Sequence, residues 1–171
     1  MAKCIVFVNQ KGGVGKTTSA INIGAYVALA GKKVLLIDFD SQGNMSSGVG
    51  LSKDKPTIYE LLAGQVSASE CVQKTPVENL DAISASLDLS GVSIELADQE
   101  DREYYLKNAL EPLQSSYDYI MIDCPPSLGI LTTNALAASD SVLIPVQFSL
   151  QTHRLLWRFP VPYIFSEISD S

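Results

Sequence analysis

The stretch NQKGGVGKTT, residues 9–18, decides how the rest of the chain is read. It follows a short apolar run, CIVFV at 4–8, and precedes TTSAINIGAYVALA at 17–30. In that second segment Ala20, Ile21, Ile23, Gly24, Val27 and Ala28 fall at helical spacing, and Gly31 supplies the stop. Strand, glycine turn and helix in this order make an anion cradle. Gly12, Gly13 and Gly15 let successive N–H groups point inward, and the helix aims its positive end at the same place. Lys16 is placed to reach the β- and γ-phosphates of a bound nucleotide, and the Thr17 hydroxyl to complete the coordination of Mg²⁺. With Val14 and Thr18, the nucleotide-binding set runs from Gly12 to Thr18. The common pattern G-x-x-x-x-G-K-[ST] asks for a glycine five places before Gly15. The sequence has Gln10 there, with an additional cation, Lys11, beside it.

Outward from the loop, KKVLLID (32–38) reads as a second buried strand and FDSQGNMSSGVG (39–50) as a polar loop. TIYELLAG (57–64) has Thr57 and Glu60 at capping-box spacing, the start of a short helix. Further strands are expected at LDAIS (80–84), DYIMID (118–123) and SVLIPV (141–146), and a helix at ILTTNALAA (130–138). The segment IELADQEDREYYLKNALEP (94–112) is the longest helix candidate, with an acidic middle that suits a break whose place the sequence does not give. Apolar strands alternating with helices predict an α/β, doubly wound, mostly parallel sheet with helices on both faces.

The 171 residues suit one domain, and 46% hydrophobic with 18% charged residues is a globular composition. No apolar run is long enough to cross a bilayer as a helix, which argues against a membrane role. MAKCIVFV lacks a signal-peptide cleavage site, and three cysteines without metal-ligand spacing fit reduced thiols, so a cytoplasmic protein is expected. A net charge of −7 makes the chain as a whole no magnet for nucleic acid.

A metal-bound triphosphate also needs carboxylates at neighbouring strand ends. Asp123 ends an apolar strand in the manner of an acid that holds Mg²⁺, and Asp38 and Asp40 lie at the end of the second strand. Alternation along a strand lets both point the same way, with Asp40 nearer the phosphates and suited to position the attacking water. Cys124 is expected on the opposite face as core filler, Tyr104 and Tyr105 in helix packing, and His153 on the surface.

These residues carry a resemblance. KGGVGKTT with a lysine in its first position, LLIDFDSQGNMSSGVG, YDYIMIDCPPSLGILTTNAL and VLIPVQ together resemble the ParA/Soj family of partition ATPases, in the deviant Walker A class with MinD. The resemblance spans about residues 3–147 and implies a P-loop NTPase fold and an ATP-dependent sandwich dimer. In such a dimer Lys11 crosses to the partner's nucleotide, Asp40 is the hydrolytic aspartate, Asp123 is the Walker B acid, and Gln42 to Asn44 lie beside the nucleotide. It further implies binding to nucleoid DNA without sequence preference, release when a ParB-type partner stimulates hydrolysis, and a role in chromosome or plasmid segregation. The alternatives are a nucleotide-binding protein without ATPase or DNA-binding activity, and a MinD-like cell-division ATPase. The prolines at 160 and 162 argue against the amphipathic membrane helix that the latter needs.

After Gln147 the sequence changes character. Residues 1–147 read as a partial ATPase domain, incomplete at its C-terminal side. Residues 148–171 read as a divergent, poorly ordered tail, as from a truncated or frame-shifted reading frame, so DNA binding by this chain is doubtful.

Overall fold

The continuous apolar runs become parallel strands because each must bury both faces. In the computed structural model, which describes residues 1–96 and 99–147, the chain opens with β1 (Lys3–Phe7), α1 (Lys16–Leu29), β2 (Val34–Asp38) and α2 (Asn44–Gly48). There follow α3 (Ile58–Leu62), α4 (Ala68–Cys71), β3 (Gln73–Lys74), β4 (Leu80–Ile83) and α5 (Val92–Glu95). The last described elements are α6 (Tyr105–Leu110), β5 (Tyr119–Asp123), α7 (Ile130–Ala138) and β6 (Ser141–Leu143). The expected tail, residues 148–171, lies outside the described residues.

The strands form one sheet in the order β3-β4-β2-β5-β1-β6, parallel except for β3 against β4. β5 lies between β1 and β2, with Phe7 and Asp38 both in register with Asp123. The loops leaving β1, β2 and β5 therefore converge at one edge, where open α/β sheets form their ligand crevice.

Alternation along the strands sends side chains to two cores. Phe7, Leu36, Leu80, Ala82 and Met121 pack with Ala20 and Ala28 of α1 and Met45 of α2. Val6, Leu35, Ile37, Ile120 and Ile122 pack on the other face with Ile58, Leu106, Leu110 and Leu131. α1 meets the sheet through small residues, Ala20, Gly24 and Ala28, at one-turn spacing. A Cβ on Gly24 would sit 2.8 Å from Leu36 Cδ2. This close approach turns Ile23, expected on the apolar stripe, to 37% exposure.

Other departures from the sequence reading have local causes. Residues 39–50 are not all loop, since α2 starts behind Gly43 in left-handed backbone. The 94–112 helix divides into α5 and α6, with Asp101 at φ 53 in the acidic stretch between them. β6 stops at Leu143, two residues before Pro145, which has no N–H to donate. The Thr57–Glu60 capping box forms as expected. Tyr105 packs on the core, whereas Tyr104 is exposed.

Candidate functional site

The loop after β1 is shaped by backbone conformation. Gly13 has φ 72 and Gly15 φ 91, values an L side chain resists. Gly15 is the N-cap of the 14-residue α1 and makes no side-chain capping bond, and the first turn carries no acidic residue. The leading N–H groups of the helix thus face the loop without an internal anion. Lys11, Gly12, Gly13 and Thr18 are exposed, and Val14, Gly15 and Thr17 half-buried. Lys16 is buried, its Nζ donating to the Lys11 carbonyl at 3.5 Å across the mouth of the loop.

Asn9 was not singled out from the sequence. Its Oδ1 accepts from the Lys11 amide at 2.9 Å, and its Nδ2 donates to the Pro145 carbonyl at 2.8 Å, tying the loop's entry to the segment after β6. An Asx residue just before a glycine turn is the signal that could have found the first bond. The second depends on strand order.

Asp123 is 1% exposed, and neither carboxylate oxygen has a hydrogen bond of regular geometry. Burial raises its pKa to about 7; the nearby Thr17 hydroxyl and Lys16 ammonium oppose the rise, and the Asp38 and Asp40 charges add to it. A buried carboxylate whose two oxygens lack regular hydrogen bonds, close to a threonine hydroxyl and a lysine, is a donor set that suits a cation. Among the described residues no group of three or more His, Cys, Asp or Glu could hold a metal by itself. Such a metal would draw on ligands beyond the carboxylates, as Mg²⁺ does when it takes substrate phosphates.

The two acids of β2 differ. Asp38 is fully buried and accepts from the Ser46 amide at 2.7 Å and the Ser46 hydroxyl at 2.6 Å. Burial lifts its pKa, and the bonds from Ser46 and from the Asp40 amide pull it back. Asp40, half-buried, stands at the start of the following loop, where its Oδ1 accepts from the Gln42 amide at 3.0 Å. Gln42 and Asn44 are exposed and bonded to each other at 3.2 Å. The sequence reading missed Ser46; a carboxylate at a buried strand end needs donors, and Ser46 is the residue that supplies two. Cys124 lies on the opposite face in the other core, as expected, with burial pushing its thiol pKa up.

The chain matches the model of an AAA domain family over residues 2–158. A plasmid partition protein from Borrelia burgdorferi superposes with a TM-score of 0.82 at 35% identity, covering 92% of this chain and 71% of that one. The chain belongs to the ParA/Soj family of AAA-domain proteins. Over 159 residues this ParA/Soj-family chain is 61% identical to the chromosome-partitioning ATPase Soj of Treponema pallidum, 91% of this chain and 62% of that protein. It thus spans less than two thirds of that relative. Cobyrinic acid a,c-diamide synthase from Mycobacterium smegmatis, solved with a bound ATP analogue and magnesium, gives a TM-score of 0.85 at 39% identity, covering 92% of this chain and 65% of its own. Nucleotide and Mg²⁺ binding thus occur among the structural neighbours. Among the described residues no helix is long and apolar enough to cross a membrane.

Proposed function

We propose that this ParA/Soj-family chain binds ATP with Mg²⁺ and hydrolyses it to ADP and phosphate as the ATP-driven component of a DNA-partition system. The observation that carries the reading is Asp123, buried without a hydrogen bond of regular geometry beside Thr17 and Lys16 at the mouth of an uncapped helix. The N–H groups of Gly12 to Thr18 and the Lys16 ammonium bind the phosphates. Thr17 and Asp123 would hold Mg²⁺, whose charge, when bound, offsets that of the β- and γ-phosphate oxygens.

Asp40 keeps one oxygen on the Gln42 amide and uses the other to orient a water in line with the γ-phosphorus. The water oxygen forms the new P–O bond as the bond to the bridging oxygen breaks; ADP leaves with the electron pair, and the water's protons stay with the inorganic phosphate. Lys11 is exposed, the placement required of a cation that serves a second copy's triphosphate in an ATP-dependent homodimer, much as an arginine finger would. Family membership supports a cytoplasmic protein working with a ParB-type partner.

The test is ATP turnover and size-exclusion on the 171-residue chain. Asp40→Ala keeps ATP binding and loses turnover about 100-fold. Lys11→Ala holds ATP and stays monomeric. Equal loss of ATP affinity in Asp40→Ala and Lys16→Ala, or unchanged dimerisation in Lys11→Ala, contradicts the assignments.

A further inference from the structure

Asp38 has no place in the chemistry above, although an ionised group buried at a strand end is costly. Its three bonds explain it. Oδ2 accepts from the Ser46 amide at 2.7 Å and the Ser46 hydroxyl at 2.6 Å, and Oδ1 from the Asp40 amide at 3.3 Å. The two ends of the segment 40–46 are therefore closed on one carboxylate. The Ser46 hydroxyl, while donating to Asp38, accepts from the Ala85 amide at 3.1 Å, which ties the segment to the chain leaving β4 as well. Inside the segment the Gly43 amide bonds the Asp40 carbonyl at 2.9 Å, a turn that sets where the Asp40 side chain leaves the backbone.

A surface helix as short as α2 needs no buried acid to start it; an exposed serine or asparagine at its N-cap would do. Its N-cap is Gly43, without a side-chain bond, and the amide and hydroxyl of Ser46 in its first turn go instead to Asp38 at the end of β2, in register with Asp123. What the buried charge adds is a fixed relation between the Asp40 turn and the Asp123 strand end. We propose that Asp38 and Ser46 are positioning residues, a clamp that holds Asp40 in place for hydrolysis while leaving nucleotide binding to the other loop. This rests on Asp40 being the residue that orients the water.

The test compares the wild-type chain with Ser46→Ala and Ser46→Thr, following both steady-state ATP turnover and amide exchange without nucleotide. Ser46→Ala removes only a hydroxyl. It lowers kcat about 10- to 100-fold with KM for ATP within about twofold, a displacement effect. It speeds exchange about 10-fold or more across residues 40–47, with α1 unchanged. Ser46→Thr, which keeps the hydroxyl, restores both. Unchanged exchange in Ser46→Ala overturns the clamp, as does a rise in KM that accounts for the loss of turnover. If the wild-type chain shows no turnover, the hydrolytic reading fails for it, while the exchange comparison alone still decides whether Asp38 and Ser46 hold the segment.

Discussion

The loops that leave β1 and β2 meet at the same strand ends and are built in opposite ways. The first is glycine-rich and gets its shape from left-handed backbone at Gly13 and Gly15, leaving N–H groups and Lys16 directed at its mouth. The second is held by side chains, with Asp38 and Ser46 closing it and Asp40 turned onto the Gln42 amide. A ligand that brings its own negative charge is best met by backbone donors that nothing else uses. A residue that must orient one water is best placed by a loop with every bond made. Between them Asp123 is unlike both, a buried carboxylate with no hydrogen bond of regular geometry, the Thr17 hydroxyl and Lys16 ammonium lying near it.

The largest expected effect separates binding from turnover. Lys16→Ala weakens ATP at least about 100-fold by calorimetry, whereas Asp40→Ala leaves affinity within about threefold. A comparable loss in both would mean that the two loops do not divide the work.

Next comes the acid between them. Burial holds Asp123 at about 7 in the folded chain, against about 3.9 when unfolded. The folded state therefore binds this proton more tightly. Stability from that source is complete below about pH 4 and is lost as pH rises to about 7. Asp123→Asn carries no such charge, so at pH 8 without ligands it is more stable than the wild type by about 2 kcal/mol, the amide's own unmet hydrogen bonds being deducted. The difference shrinks towards pH 4. Thermal unfolding of both proteins from pH 4 to 8 checks this, and a gap that does not grow with pH would mean that Asp123 is not desolvated.

The smallest effect compares the loops through their glycines. Gly15 at φ 91 and Gly43 at φ 64 are both left-handed. Alanine at either costs about 1 kcal/mol of stability from backbone strain. Gly15→Ala also weakens ATP binding, because the strained residue carries the cradle, whereas Gly43→Ala affects turnover first. If the two were interchangeable in ATP affinity, the contrast between a backbone-built and a side-chain-built loop would fail.

The five parallel strands and the glycine turn of the first loop were legible in the sequence because their signals are local, whereas β3, a two-residue antiparallel edge, carried none. Apolar runs, a capping box at Thr57 and Glu60, and glycines between a strand and a helix each occupy a few consecutive residues. What escaped depends on residues far apart in the chain. The Asn9 bond to Pro145 and the Ser46 bond to Ala85 join elements whose adjacency follows from strand order, 136 and 39 positions away. Asp38 and Asp40 were expected to point the same way as alternate residues of one strand, with Asp40 further into the loop and nearer the phosphates. The strand ends at Asp38 and the chain turns, so one acid became a buried anchor and the other a half-buried acceptor on the loop. Ile23 was misassigned because periodicity marks a stripe but not its width, and small residues at 20, 24 and 28 drew the helix in along a narrower one. The break between α5 and α6 was suspected from acidity, which marks where a helix is weak without saying where it ends.

In the proposed function, Asp123 and Thr17 complete a metal site only when a triphosphate lies in the glycine loop. Calorimetric titration of ATP into the wild-type chain and Asp123→Asn, with and without Mg²⁺, tests it most directly. Mg²⁺ is expected to tighten ATP binding to the wild type about 10-fold or more and to change that to Asp123→Asn by less than about twofold. An equal gain in both proteins, or no ATP binding by the wild type, would contradict it.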